Sequence, residues 1–278
     1  MPTSGGTTAG GNPWSYIQVT IDGQVVTIAF LDSYAGAPAP LVLYHHGAGE
    51  TGDAIILRAD KFGVRDALLD AGYNLLASDA HGNNWGNLDA LADYVAAYTY
   101  AIGNGYPASK VFHLGQSMGG LSSLLTVAGG QIPADGCAEI APVCSLRSVW
   151  NHYFAVPGSL DDQIELAYGI AHRDTADYEA KTVGHDPYLL PASFFARTPL
   201  RFYASPNDDV IDYSENSVAF KDLVKPGSIY INTLRICSGG HTAPSQFQPT
   251  DLVLFFGACR DGVAPRRRLP SLGSLRLP

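Results

Sequence analysis

Gly115-Gln116-Ser117-Met118-Gly119 is the stretch of this chain whose residue types and spacing speak most directly of chemistry. It has the form Gly-x-Ser-x-Gly. The β-prone Val111-Phe112-His113-Leu114 precedes it, and a small, apolar run from Gly120 to Ala128 follows. Strand, tight turn and helix in that order hold a serine in a strained backbone conformation with its hydroxyl above a sheet. The flanking glycines are required because a Cβ at either position would meet the neighbouring strand or helix. A serine hydroxyl is a weak nucleophile at neutral pH. It needs a base within hydrogen-bond reach, and that base needs an orienting carboxylate.

On an open α/β sheet such groups come from loops at the carboxyl ends of strands. Two loops further along the chain offer them in the order serine, acid, histidine. Ser205-Pro206-Asn207-Asp208-Asp209-Val210-Ile211 follows the apolar run Leu200 to Ala204. Asp208 is the favoured acid, because Val210-Ile211 then re-anchors the chain in the fold. Asp209 is the alternative, and a helix-capping role suits Asp209 or Asp212. Ser238-Gly239-Gly240-His241-Thr242-Ala243-Pro244 follows the last predicted strand, and its two glycines allow His241 to bend back towards the sheet. Of the other histidines, His113 reads as core, and His152, His172 and His185 as solvent-facing.

Attack on a carbonyl also needs N–H donors aimed at the developing oxyanion. One is the Met118 amide, next to the serine at a helix N-terminus. The other comes from His46-Gly47-Ala48-Gly49, with the Ala48 amide first and that of Gly49 second, while His46 holds the loop by hydrogen bonding. Trp85 and Trp150 fall on loops above the sheet. There they either face an acyl or aryl group of a substrate or pack the loops onto the body.

The elements that must position these residues alternate between strand and helix. Tyr16–Ile21 and Val25–Phe30 flank Asp22-Gly23, a strong hairpin signal. Leu41–Tyr44, Tyr73–Ala77, Val111–Leu114, Cys137–Val143, Leu200–Ala204 and Ser228–Ile236 read as strands. Residues 53–71, 88–102, 214–223 and 246–259 read as helices. Strands apolar throughout and alternating with helices indicate a mostly parallel α/β sheet covered on both faces, with the hairpin antiparallel at one edge. Residues 145–198 break the rhythm and read as a helical insertion over the top of the sheet.

At 278 residues, 46% hydrophobic and 15% charged, the chain supports one well-filled domain over residues 14–260. Residues 1–13 read as a flexible leader without the charged start or apolar core of a signal peptide, and 261–278 as a basic disordered tail. The last nineteen residues hold five Arg and one Asp, so the remainder carries about −13 of a total of −9. An acidic body argues against nucleic acid and anionic lipid as substrates. No run reaches the ~18–20 apolar residues of a membrane helix, so a soluble chain is expected, with its compartment and oligomeric state open. Cys137, Cys144, Cys237 and Cys259 form no metal or redox pattern. Cys237 and Cys259 fit a disulfide and a pair of buried thiols equally.

His46-Gly47-Ala48-Gly49, the Gly-x-Ser-x-Gly turn, Asp208 and His241, in that order over residues 14–259, resemble the α/β-hydrolase superfamily. Asp186-Pro187-Tyr188 and the proline-rich approach to the acid strand are similar to compact esterases of the dienelactone hydrolase, feruloyl esterase and prolyl-oligopeptidase catalytic-domain type. The chain departs from relatives in lacking the His-Gly-Gly-Gly motif of one lipase group and in carrying Ser117 where true dienelactone hydrolases carry Cys. The resemblance implies an α/β-hydrolase fold and hydrolysis of carboxylic esters, small-molecule or polymeric, through an acyl-enzyme, with no metal or cofactor. A serine peptidase or acyltransferase on the same scaffold, and an inactive binding module, are the alternatives.

Overall fold

The apolar runs line up side by side in one sheet. The computed structural model describes residues 1–154, 156 and 158–267. Its strands are β1 (Thr3–Thr7), β2 (Pro13–Ile21), β3 (Gln24–Leu31), β4 (Ala39–His45), β5 (Asn74–Ser78), β6 (Ala108–Gln116), β7 (Gly136–Ile140), β8 (Leu200–Ala204) and β9 (Thr233–Ile236). They are arranged in the order β1-β2-β3-β5-β4-β6-β7-β8-β9. The first three strands are antiparallel, as is β3 against β5. Every pairing from β5 across to β9 is parallel. Ile21 pairs with Gln24 across Asp22-Gly23, whose φ values of 50° and 85° are those a two-residue hairpin turn demands.

Helices cover both faces. Val42, Tyr44, Leu75, Phe112 and Ile140 meet α2 (Phe62–Asp70) and α9 (Pro249–Arg260) through Leu68, Leu69, Leu252 and Phe256. Leu41, Leu43, Leu76 and Val111 turn the other way, onto α3 (Leu88–Gly103) through Ala90, Tyr94, Ala97 and Ala101. Alternate residues of each central strand are thus buried on opposite sides, and so the strands are apolar throughout. On that second face α4 (Met118–Gly129) and α8 (Ala219–Val224) pack over β7 and β8. Between β7 and β8 the chain forms α5 (Leu146–Tyr153), α6 (Leu160–Tyr168) and α7 (Thr175–Lys181). Among the described residues no helix is long and apolar enough to cross a membrane.

Four expectations need correction. The leader over residues 1–13 contains β1, an edge strand. Its following turn is tied to α2, where Asp66 accepts from the Ala9 amide (2.9 Å) and Asp70 from the Gly10 amide (2.9 Å) and the Asn12 side chain (2.8 Å). The helix expected over 53–71 is broken at Arg58, whose extended backbone (ψ 132°) separates α1 (Ala54–Leu57) from a 3-10 turn and α2, and whose guanidinium pairs with Glu50 and Asp60. The strand expected over 228–236 is shorter, because residues 229–231 bond to the departing C-terminal segment instead. Ile231 donates to the Pro265 carbonyl (2.8 Å) and Arg267 to that of Ile229 (2.9 Å). Residues 261–267 of the expected disordered tail are therefore held, and the tail's residues 268–278 lie outside the described residues. All four cysteines are free and buried, so the thiol alternative holds for Cys237 and Cys259.

Candidate active site

Strand order reverses around β4, with β5 on one side and β6 on the other. The loops leaving β4 and β6 diverge there and open a crevice at the carboxyl edge of the sheet, the place where open α/β sheets bind ligands. Ser117 stands in that crevice, between β6 and α4. Its φ of 54° and ψ of −121° lie in a region that costs a non-glycine residue about 1–3 kcal/mol. The fold imposes that conformation through the backbone. The Ser117 amide donates to the Ile140 carbonyl (2.9 Å), and its own carbonyl accepts from the Gly120 and Val143 amides (both 2.9 Å). Both flanking glycines are sterically required. A Cβ on Gly115 would strike Glu139 and Ser123, and one on Gly119 would strike the backbone of His45 and His46 at the end of β4.

His241 Nε2 lies 2.8 Å from Ser117 Oγ, across 124 positions of sequence. On the other side of the ring, Nδ1 lies 2.8 Å from Asp208 Oδ2 and 3.0 Å from Oδ1. Asp208 is itself fixed, since Oδ1 accepts from the Val210 and Ile211 amides at 3.0 and 2.9 Å. With Nδ1–H donating to the carboxylate, Nε2 presents its lone pair to the hydroxyl. The exposed Asp209 has a different place. It accepts from the His241 backbone amide (3.0 Å), and this contact leads the causes that hold its carboxyl below the usual range. Gly239 (φ 86°) makes the bend in the histidine loop, and Ser205 pins it by donating to the Gly239 carbonyl (2.7 Å).

Ser117, His241 and Ala48 border one cavity of about 200 Å³ with Gly47, Glu50, Gln116, Trp85, Leu160, Val210 and Thr242. Among the described residues, the Ala48 and Met118 amides donate to no protein acceptor, whereas the Gly49 amide is taken by Asn83 (2.6 Å). His46 lies between the carbonyls of Gly47 and Asp79, at 2.9 and 3.0 Å, and so braces the loop.

The two tryptophans separate. Trp85 borders the cavity, on a loop clamped by Tyr168, whose hydroxyl donates to the Trp85 carbonyl (2.8 Å). Trp150, expected beside it, does not reach the cavity. It is buried within the insertion, stacked on Tyr178 with ring centroids 4.3 Å apart and edge-on to Phe154. There the ring gains aromatic contacts and apolar burial among the helices of the insertion.

Sequence reasoning missed Glu50, Lys61, Gln116, Leu160 and Thr242. Only the position of Gln116 beside the serine hinted at a role. Among the described residues, one group of side chains has metal-ligand spacing: Asp162, Glu165 and His172 in the insertion, where His172 lies in hydrogen-bond reach of Glu165 (2.8 Å). It is separate from the residues bordering the cavity.

No protein-family model and no curated protein matches the chain. Solved structures do. An S-formylglutathione hydrolase from Agrobacterium tumefaciens is similar at a TM-score of 0.65 and 16% identity, over 94% of this chain and 99% of that one. The Pyrococcus furiosus esterase Pf2001 is similar at 0.61 and 16%, over 90% and 93%. A prolyl endopeptidase is similar at 0.62 and 18%, over 90% of this chain and 38% of its own length.

Proposed function

On the α/β-hydrolase fold that this chain adopts, we propose that it is a serine hydrolase of carboxylic esters. The observation that carries this assignment is the unbroken contact from Asp208 through His241 to Ser117, with 2.8 Å at each step. Ser117 Oγ attacks the ester carbonyl as His241 Nε2 takes its proton. Asp208 stabilises the imidazolium and holds the ring in place. The oxyanion that forms is met by the Ala48 and Met118 amides, which have no protein acceptor among the described residues and so suit that task. His241 then returns the proton to the leaving alcohol. In the second half it deprotonates water, which attacks the acyl-enzyme and frees the acid and Ser117.

The cavity suggests the substrate's size. At about 200 Å³ it is smaller than the ~300–1,000 Å³ of pockets for drug-sized ligands, so a short acyl group fits best. Trp85, Leu160 and Val210 give it an apolar wall, and among the described residues no lysine or arginine borders it to clamp a phosphate. The esterases among the similar structures favour the same reading.

A fluorophosphonate probe is expected to label one serine per chain, in the peptide carrying Ser117, and p-nitrophenyl acetate and butyrate are expected to be turned over. Turnover of peptide p-nitroanilides in preference to these esters would move the assignment to a peptidase. Neither labelling nor turnover would make the chain an inactive module.

A further inference from the structure

Behind the cavity lies a buried cation that the reaction as drawn does not use. Lys61, just ahead of α2, is 1% exposed. Its ammonium is 2.8 Å from each carboxylate oxygen of Glu50 and 2.9 Å from the Tyr44 hydroxyl, and it also donates to Gln116 Oε1. The rings of Tyr44 and Phe247 flank it at 5.4 and 5.8 Å. An ammonium taken out of water is costly unless paired and hydrogen-bonded in this way, and an apolar residue of the same volume often serves stability as well. The ion pair therefore calls for a role besides packing.

Glu50 indicates that role. Burial alone would push its carboxyl up, but the Lys61 ammonium beside it holds it below the ordinary range. The carboxylate accepts from five residues, Tyr44, Gly47, Arg58, Lys61 and Gln116. Two of these donors are the Gly47 amide, at Oε2 (3.3 Å), and the Gln116 side-chain amide, at Oε1 (3.2 Å). Gly47 directly precedes Ala48, and Gln116 directly precedes Ser117 and Met118. The β4·β6 ladder ends at the pair His45 and Gly115. Past that point the chain segments diverge, and backbone pairing no longer sets their separation. Glu50 bridges them just where the ladder stops. The bridge also explains Gly47, since a Cβ there would come within 3.0 Å of Gln116 Nε2 and 3.6 Å of Glu50 Oε2.

We propose that Glu50, clamped by the buried Lys61, is a positioning residue of the oxyanion hole: by tying Gly47 to Gln116 it sets the spacing between the Ala48 and Met118 amides. This rests on the ester-hydrolase reading above. Glu50 borders the cavity, but in this role it exchanges no proton or electron pair with the reacting atoms. It acts through the two amides, so its loss falls on the transition state rather than on substrate binding.

The test uses two variants of the full chain. Glu50→Asp keeps the charge that Lys61 needs but draws the carboxylate back by one methylene. The double variant Glu50→Gln/Lys61→Met removes both charges and strands neither. Each is checked for native circular dichroism and melting temperature, then assayed with p-nitrophenyl acetate. It is also titrated with a trifluoromethyl ketone, whose adduct with Ser117 carries an oxyanion. Expected is a fall in kcat of about 10- to 100-fold, less than or comparable to losing an oxyanion donor outright, with KM within about twofold. Ketone affinity should weaken by a similar factor. Folded variants with kcat and ketone affinity at the wild-type level, altered only in melting temperature, would reduce the pair to a structural one and overturn the proposal. A wild-type protein that neither cleaves the ester nor binds the ketone takes down the functional reading itself, and this inference with it.

Discussion

The carboxyl edge of the sheet and the insertion above it border the same cavity but are built on different physical terms. At the edge, Ser117, Asp208 and His241 each follow a parallel strand, and the backbone beside each is pinned by hydrogen bonds: Ser117 to β7 and the loop after it, Asp208 to the Val210 and Ile211 amides, His241 to Asp209. The insertion packs by apolar side chains onto Leu121 and Leu125 of α4 and onto Trp85, with Trp150 on Tyr178 at its centre, and among the described residues it gives the cavity Leu160 alone. The edge fixes individual atoms because bonds between amides and carbonyls are directional. The insertion fixes a shape, because apolar packing is not.

Four substitutions probe that contrast, in falling order of effect. Ser117→Ala should lower kcat by about 10⁶-fold without loss of fold; a variant retaining more than a hundredth of the activity would mean that another group attacks. Asp208→Asn should cost about 10⁴-fold, because it leaves the imidazole in the wrong tautomer. Asp209→Asn, which alters a contact to the His241 backbone amide rather than to its ring, should stay within about tenfold, and the reverse ranking would exchange the two aspartates. From the insertion, Leu160→Ala should raise KM for a short-chain ester several-fold while kcat stays within about twofold. A collapse of kcat instead would show that the insertion shares in the chemistry and would erase the distinction.

The smallest effect concerns two carboxyl groups on either side of β6. Glu50 has Lys61 and is held ionised. Glu139, on β7 against the Gly115 turn, has no cation paired with it among the described residues. Its Oε1 accepts from the Ser123 hydroxyl and lies 3.0 Å from Cys137 Sγ, while Oε2 has no partner among the described residues, and burial pushes its carboxyl up to about 8. The folded pKa stands above the unfolded value of 4.5. The folded state therefore holds the extra proton between them, and stability falls as pH rises from about 4.5 through 8. Glu139→Gln removes that dependence. The variant should melt a few degrees higher than the wild type at pH 8 to 9 and equally at pH 4, measured by thermal unfolding in buffers of matched ionic strength. Melting curves that stay parallel across this range would mean that Glu139 is ionised in the fold.

Much of the scaffold was legible because its signals are local. Asp-Gly between alternating runs specifies a hairpin wherever it occurs, and Leu200–Ala204 reads as a buried strand from its own five residues. The turn at Ser117 is likewise written in its glycines. Edge strand β1 was not legible, since its Thr and Gly residues carry no apolar pattern and what holds the turn after it is a pair of carboxylates some sixty positions away on α2. Nor was the break at Arg58, which the apolar spacing of residues 53–71 does not betray.

The sequence by itself determined which residue types stand after which strands: a serine in a glycine-bounded turn, two adjacent aspartates, and a histidine behind two glycines. It did not determine which aspartate faces the imidazole, which tryptophan reaches the cavity, or that a lysine ahead of α2 and a glutamate past β4 would join beneath it. Those outcomes depend on distances between segments far apart in the chain, and only the packing of β4, β6 and the helices around them fixes such distances. Local patterning sets each residue's backbone and the face it occupies, while the choice between chemically equal neighbours falls to whichever one the assembled sheet can bury and satisfy with hydrogen bonds.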